Sequence, residues 1–484
     1  MDGAVGATQC PIPSSGEMTY KFRAQPAGTA WYHGHYLDQY TDGLIGPLVI
    51  RRQVEPNQEQ YDTERILMVS DWYNDVARTK LLSWFLSAKN TEGFEPIPDA
   101  IIVKGKFSQS LFVQTFGVTR IRFRIINAAA FSMYTVSIDG LPLHIIELDQ
   151  TPLVPYTVFS FSINVAQRVS FYVNLKEFDQ THVPSDVSST KSIYIRFKAN
   201  SEMYPVDIDS YIAPYATPCL PYPIFFNPLY LAILSLDSSN SMPTYPVNQV
   251  TTGSSNLGSE DSEDVNILRA RPFYQANNKV PDATHYLKLV ITFHQDSLNI
   301  TRGYINNVTY GAAANNPSHK PGNPKCITSD KVPLLYQMAT TPNGLGIPSP
   351  IMTSDSRLPV IQSDGCGHYL VPYQAVVDIR LQNTDEGEHP FHLHGHHFWI
   401  ISTSDNPQAE QLYRGAYIKR DVVSVPGSGW VKIRFLANNP GAWLFHCHIE
   451  WHMDAGLLLA FLVGPNELVA QGYTIAANQK RFCQ

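Results

Sequence analysis

The chain has no apolar run long enough to cross a bilayer, which as a helix takes about 20 residues. The best candidate, Ile224 to Leu236, is too short and is interrupted by Pro228. Basic runs are also missing, and with a formal net charge of −7 this argues against a nucleic-acid partner. The start shows no charged segment followed by an apolar one, so no signal peptide is visible. Charged residues are sparse at 16% against 44% hydrophobic, a balance that describes a soluble globular protein without a membrane partner. At 484 residues the chain is too long for one core, so two or three domains are expected. Cysteine is scarce: Cys10, Cys219, Cys326, Cys366, Cys447 and Cys483.

What the chain does have is histidine in three clusters. Near the C-terminal end it reads Leu444, Phe445, His446, Cys447, His448, Ile449, Glu450, Trp451, His452. Neighbouring side chains on a strand point to opposite faces, so Cys447 looks one way and His446 and His448 the other. The second cluster, His389, Pro390, Phe391, His392, Leu393, His394, repeats this split, because His392 and His394 share a parity that His389 does not. The third holds the pair His33 and His35 after Trp31 and Tyr32. A thiolate with two imidazoles is the donor set of a blue copper site. The pattern therefore places His389, Cys447 and His452 around one copper, and His33, His35, His392, His394, His446 and His448 at a polynuclear centre. Zinc also takes Cys and His, but it has no need of a thiolate flanked by histidines on the opposite face. With Cys447 committed to metal, five cysteines remain, and an odd number cannot all pair within the chain.

At these residues the sequence resembles the multicopper oxidases, fungal laccase-like members first and ferroxidase-like members second. The match runs from Thr8-Gln9-Cys10-Pro11-Ile12 to about Pro465. The resemblance implies an all-β fold of tandem cupredoxin-like sandwiches, three in the family, with the first incomplete here. It implies type 1 ligands His389, Cys447 and His452, a type 2 ligand His392, and type 3 ligands His33, His35, His394, His446 and His448. A complete family member holds four copper ions. Leu457, ten positions after Cys447, takes the place of the axial type 1 neighbour, and an alkyl group there favours Cu(I). The upstream His-Trp-His-Gly type loop of the family is missing, which reads as an N-terminal truncation.

Taken in order, residues 1–51 are expected to be the C-terminal part of a first cupredoxin domain. Residues 52–237 form a second, 238–282 an acidic Ser/Gly-rich linker, and 283–484 a third domain with the type 1 site. Strands are expected at Met18 to Arg23, Gly28 to His35 and Leu44 to Ile50, then at Ile121 to Ile126, Tyr134 to Ile138 and Leu458 to Val463, among others. Residues 204–228, rich in Pro and Tyr, read as a surface arm.

The chemistry implied by the resemblance is one-electron oxidation of a small phenol, as in pigment or secondary-metabolite formation, coupled to four-electron reduction of O2 to water. Asp149 stands where laccase-like members place the acid that accepts the phenol proton, and Glu450 where the family relays protons to oxygen. Two alternatives stand beside it. One is Fe(II) oxidation, with Asp139 and Asp385 near the places of iron-binding carboxylates. The other is an inactive copper-binding remnant. By resemblance the protein is secreted, and Asn299-Ile300-Thr301 and Asn307-Val308-Thr309 are glycosylation sequons.

Overall fold

The computed structural model describes residues 2–179, 191–204, 226–236, 270–274, 280–310, 332–412 and 417–483. They form five sheets: a two-stranded ribbon, a five- and a six-stranded sheet from the middle of the chain, and a six- and a five-stranded sheet from its last third. Strands dominate because β-branched and aromatic residues recur in short runs broken by turns. Most runs legible in the sequence lie within an observed strand, including Arg120–Asn127, Tyr134–Ile138 and Leu458–Val463. Met18 to Arg23 is the exception. It alternates like a strand but finds no ladder partner among the described residues, and Tyr20 and Phe22 stay exposed. Most of the proposed arm and linker lies outside the described residues.

The two middle sheets close over one core, with Ile121, Phe123 and Ile125 from one sheet meeting Val136, Phe161 and Phe197 from the other. The alternate residues of Arg120–Asn127 face away from that core, yet Arg122 and Arg124 are buried. A buried guanidinium must be paired. Arg122 Nη2 lies 3.1 Å from Glu147 Oε2 and Arg124 Nη1 3.3 Å from Glu147 Oε1. Thr29 caps the group from the ribbon strand Gly28–His33, its hydroxyl donating to Glu147 at 2.5 Å. The ribbon is thereby seated on the middle sheet. Gly28 is required at this contact, because a Cβ would lie 2.7 Å from Gln150 Cα and the backbone φ is +138°.

In the last third, the five-stranded sheet runs in the order His368–Val371, Leu458–Val463, Gly441–Cys447, His389–Leu393, Val422–Val425. Its two central histidine-bearing strands are antiparallel neighbours in a register that pairs Phe391 with Cys447 and His392 with His446. The proline-rich connection before it contains the helix Leu334–Thr340, whose Leu334, Leu335 and Met338 pack with Ala4, Ala7 and Cys10 of the N-terminal segment. A disulfide joins Cys10 to Cys483 and ties the two ends of the chain together. No helix among the described residues is long and apolar enough to cross a membrane.

Candidate metal centre

Adjacent strands carry the two C-terminal clusters, so register alone brings them side by side. Cys447 ends its strand, and the turn that follows leads into the short helix Glu450–Asp454, which swings His452 back over the sulfur. Cys447 Sγ lies 3.5 Å from His452 Nδ1 and 3.8 Å from His389 Nδ1, and the two Nδ1 atoms are 3.1 Å apart. All three residues are buried. Each ring donates its outer Nε2–H to a carboxylate: His452 to Glu95 at 2.7 Å and His389 to Asp385 at 3.2 Å. That fixes the ring orientation and turns both Nδ1 atoms toward the sulfur. Burial pushes the Cys447 thiol up, but His452 and His389 outweigh it and bring it down to about 7. Burial likewise opposes protonation of His452, and the Cys447 thiolate with Glu95 raises it to about 10. Leu457 is fully buried beside this group, its backbone carbonyl accepting from Cys447 N at 3.1 Å.

The second cluster forms where the ribbon meets the last-third sheet. His35, His394 and His446 converge so that their ligand atoms lie within 4.8 Å of one another. His394 Nε2 and His446 Nε2 are 3.1 Å apart. His33 and His448 rings stand 5.1 Å apart, and His392 and His448 5.7 Å. His33 Nδ1 donates to Gly34 O at 2.9 Å, His392 Nδ1 to Asp421 O at 2.8 Å and His446 Nδ1 to Cys447 O at 2.9 Å. A carbonyl only accepts, so the proton of each ring sits on Nδ1 and Nε2 keeps its lone pair. Burial lowers His33 to about 4, and burial with His394 lowers His392 to about 3. His35, His446 and His448 are also pushed well below the usual range, first by burial and then by neighbouring rings.

Six imidazoles gathered in this way are a poor core and a good metal cradle. His35 Nε2 and His448 Nδ1 are buried with no hydrogen-bond partner among the described residues. Unpaired buried nitrogens cost stability unless something satisfies them. The donor sets therefore fit copper: sulfur with two nitrogens at one site, nitrogen alone at the other.

Several other residues need placing. Glu450 is buried two residues after His448, and burial with Asp38 nearby raises its carboxyl well above the usual range. Asp149 is not available to a substrate. It is fully buried in a two-pronged pair with Arg420, at 2.7 and 3.1 Å. Asp139 is likewise buried against Arg196 at 2.6 and 3.1 Å, so neither of these acids keeps a free oxygen edge toward the copper site. Of the alternative iron pair, only Asp385 reaches the Cys447 site. Sequence reasoning missed Glu95, which lies in the turn-rich stretch Thr91 to Pro98, 357 residues from its partner His452. It also missed Asp2, whose carboxylate lies 2.6 Å from His394 Nδ1 and is held below the usual range by that ring despite burial.

A cupredoxin fold in which one cysteine and two histidines adjoin a histidine cluster along the same strands is the framework of a copper protein with two kinds of site. Family models described as multicopper oxidase match residues 1–55, 63–185 and 329–467. The chain is 29% identical over 479 residues to the iron transport multicopper oxidase fetC of Epichloe festucae, covering 97% of this chain and 66% of that protein. To the iron transport multicopper oxidase fio1 of Schizosaccharomyces pombe it is 30% identical, covering 96% and 65%. It thus spans about two thirds of the length of these relatives. A laccase of Phlebia radiata is 29% identical, over 95% of this chain and 75% of its own. Among solved structures, Fet3p, a multicopper oxidase that functions in iron import, superposes with a TM-score of 0.76 at 26% identity, covering 100% of this chain and 81% of that one. The chain belongs to the multicopper oxidase family, whose members bind type 1, type 2 and type 3 copper.

Proposed function

We propose that this chain oxidises Fe(II) and delivers the electrons to dioxygen, four Fe(II) and four protons turning one O2 into two waters. The observation that carries the reading is the pair of carboxylates on the outer nitrogens of His452 and His389. Glu95 and Asp385 have side chains 21% and 38% exposed, so each can offer an oxygen to a cation from solvent. Fe(II) is drawn to such hard oxygen donors, and a bound ion then sits one hydrogen bond from an imidazole of the Cys447 site. The iron-transport function named for fetC and fio1 supports the same substrate. Phenol oxidation, favoured on sequence, loses its proton acceptor with Asp149 locked against Arg420.

In this reading His389, Cys447 and His452 hold type 1 copper, His392 is a type 2 ligand, and His33, His35, His394, His446 and His448 hold the type 3 pair. Copper, when bound, supplies the reversible one-electron couple and the centre where oxygen is reduced. The chain's own residues do the rest. Glu95 and Asp385 bind the donor ion and orient the two imidazoles. The main chain of Cys447 runs directly into His446 and His448, giving the shortest covalent path between the two clusters. Glu450, its carboxyl pushed up by burial and by Asp38, is the acid that can hold a proton two residues after His448. Asp2 fixes the tautomer of His394.

Initial rates with Fe(II) and with a diphenol decide the substrate. Glu95→Ala and Asp385→Ala are expected to lower the Fe(II) rate well beyond the diphenol rate, because both substrates need the oriented imidazoles and only Fe(II) also needs the carboxylate oxygens. Equal losses on both substrates would defeat the iron reading. A blue protein that consumes no oxygen with either substrate would match a copper-binding remnant instead.

A further inference from the structure

The middle pair of sheets donates no histidine to either cluster, yet one of its arginines touches both the ribbon strand and Asp421, the residue whose carbonyl meets His392. Arg168 begins the strand Arg168–Asn174 and is buried. Its Nε donates to Thr29 O at 3.0 Å, in the ribbon strand that ends at His33. Its Nη1 and Nη2 donate to the two oxygens of Asp421, at 2.6 and 2.9 Å. The backbone carbonyl of Asp421 accepts from His392 Nδ1 at 2.8 Å and from Leu393 N at 3.0 Å. A single planar guanidinium therefore joins the strand that ends at His33, two residues before His35, to the residue that orients His392. Behind it, Asp149 accepts from Arg168 N at 3.0 Å and pairs with Arg420, the neighbour of Asp421. Two arginines and two aspartates, all buried or nearly so, are thus locked across the meeting of middle and last-third sheets.

We infer that Arg168 is a positioning residue for the histidine cluster, setting the distance between the strand that ends at His33 and the ring of His392 through its shared contacts with Thr29 and Asp421. Five donors in a rigid fork suit this task. A lysine at the same position keeps the charge beside Asp421 but offers one compact head, which cannot reach Thr29 O and both Asp421 oxygens together. The contribution lies in geometry rather than in net charge. The second ion pair of the middle sheets, Asp139 with Arg196, is buried to a similar degree and lies within the five-stranded middle sheet rather than the six-stranded one that carries Arg168, so it separates loss of stability from loss of alignment.

The inference rests on the copper reading above, and its test tells the two apart. Wild type, Arg168→Lys, Arg168→Ala and Asp139→Asn are loaded with copper, and metal content, the blue thiolate band and the paramagnetic resonance of the non-blue copper are recorded. Arg168→Lys is expected to keep the blue band while its affinity for copper beyond the type 1 site falls roughly 10- to 100-fold, with an altered non-blue resonance. Arg168→Ala shows the same loss in larger measure. Asp139→Asn lowers the melting temperature and leaves both copper signals as in wild type. Arg168→Lys indistinguishable from wild type overturns the inference, as does the same copper loss in Asp139→Asn. Wild type that takes up no copper beyond the blue site overturns the parent reading and this one with it.

Discussion

At Cys447 and His452 a proton and a metal compete for the same atoms. With the thiol at about 7 and the imidazole at about 10, the pair loses its protons in two separate steps. Copper needs the thiolate and a free Nδ1, so uptake displaces both protons below the first step and one between the two. The sign follows: affinity rises with pH across neutrality, and His389, itself raised by Asp385 and Cys447 against burial, adds to the same trend. Titrating the blue band against a competing chelator from acid to alkaline pH checks this, and a profile flat across neutrality would contradict it. Outside the ligand atoms, Glu95 and Asp385 make the imidazoles more basic and hold their rings in place. They are the residues on which the choice between iron and phenol turns.

Among the elements, the strand Thr301–Ile305 closes against the loop that carries Leu457. Gly303 leaves room there for a side chain that cannot move away: a Cβ added to Gly303 would stand 2.8 Å from Leu457 Cβ and 3.3 Å from its Cα. Gly303→Ala is therefore expected to cost about 1–3 kcal/mol, the range for overpacking a filled core, measurable by denaturant unfolding. It should also shift the blue band, since Leu457 O holds Cys447 N. A Gly303→Ala variant with wild-type stability and spectrum would show that this loop yields. The paired strands Gly441–Cys447 and His389–Leu393 explain why two short motifs suffice for two sites. Opposite faces serve separate clusters, and antiparallel register aligns His392 with His446.

Across the whole molecule, the N-terminal segment is held by the last third of the chain. Leu334 N and Leu335 N donate to Gly6 O and Ala7 O at 3.0 and 2.8 Å, and Cys10 is bonded to Cys483. Asp2 on this segment reaches His394, so the segment that the disulfide ties down also touches the cluster. Replacing both cysteines, Cys10→Ser with Cys483→Ser, is expected to lower stability by about 2–5 kcal/mol while the blue band survives, because the Cys447 site lies elsewhere. A calorimetric melt with absorption at each temperature reads both; unchanged melting would mean the crosslink adds nothing to the packing around it.

Most strands and the residues that converge in the two clusters could be picked out from residue order, because alternation and i, i+2 spacing are local properties. The strands nevertheless end at His33, Leu393 and Cys447 and leave His35, His394, His448 and His452 to the turns and helix that follow. Met18 to Arg23 shows the limit, since a strand also needs a neighbour and alternation cannot say whether one exists. Asp149 and Asp139 were plausible acids by position, yet Arg420 and Arg196 take up their oxygens. Glu95, Asp2 and Arg168 carry no local signal at all, being meaningful only beside His452, His394 and Asp421. Metal-binding atoms belong to short motifs and are written along the chain. The charges that aim, feed and hold them come from far-off segments, and only folding brings such partners within hydrogen-bond reach.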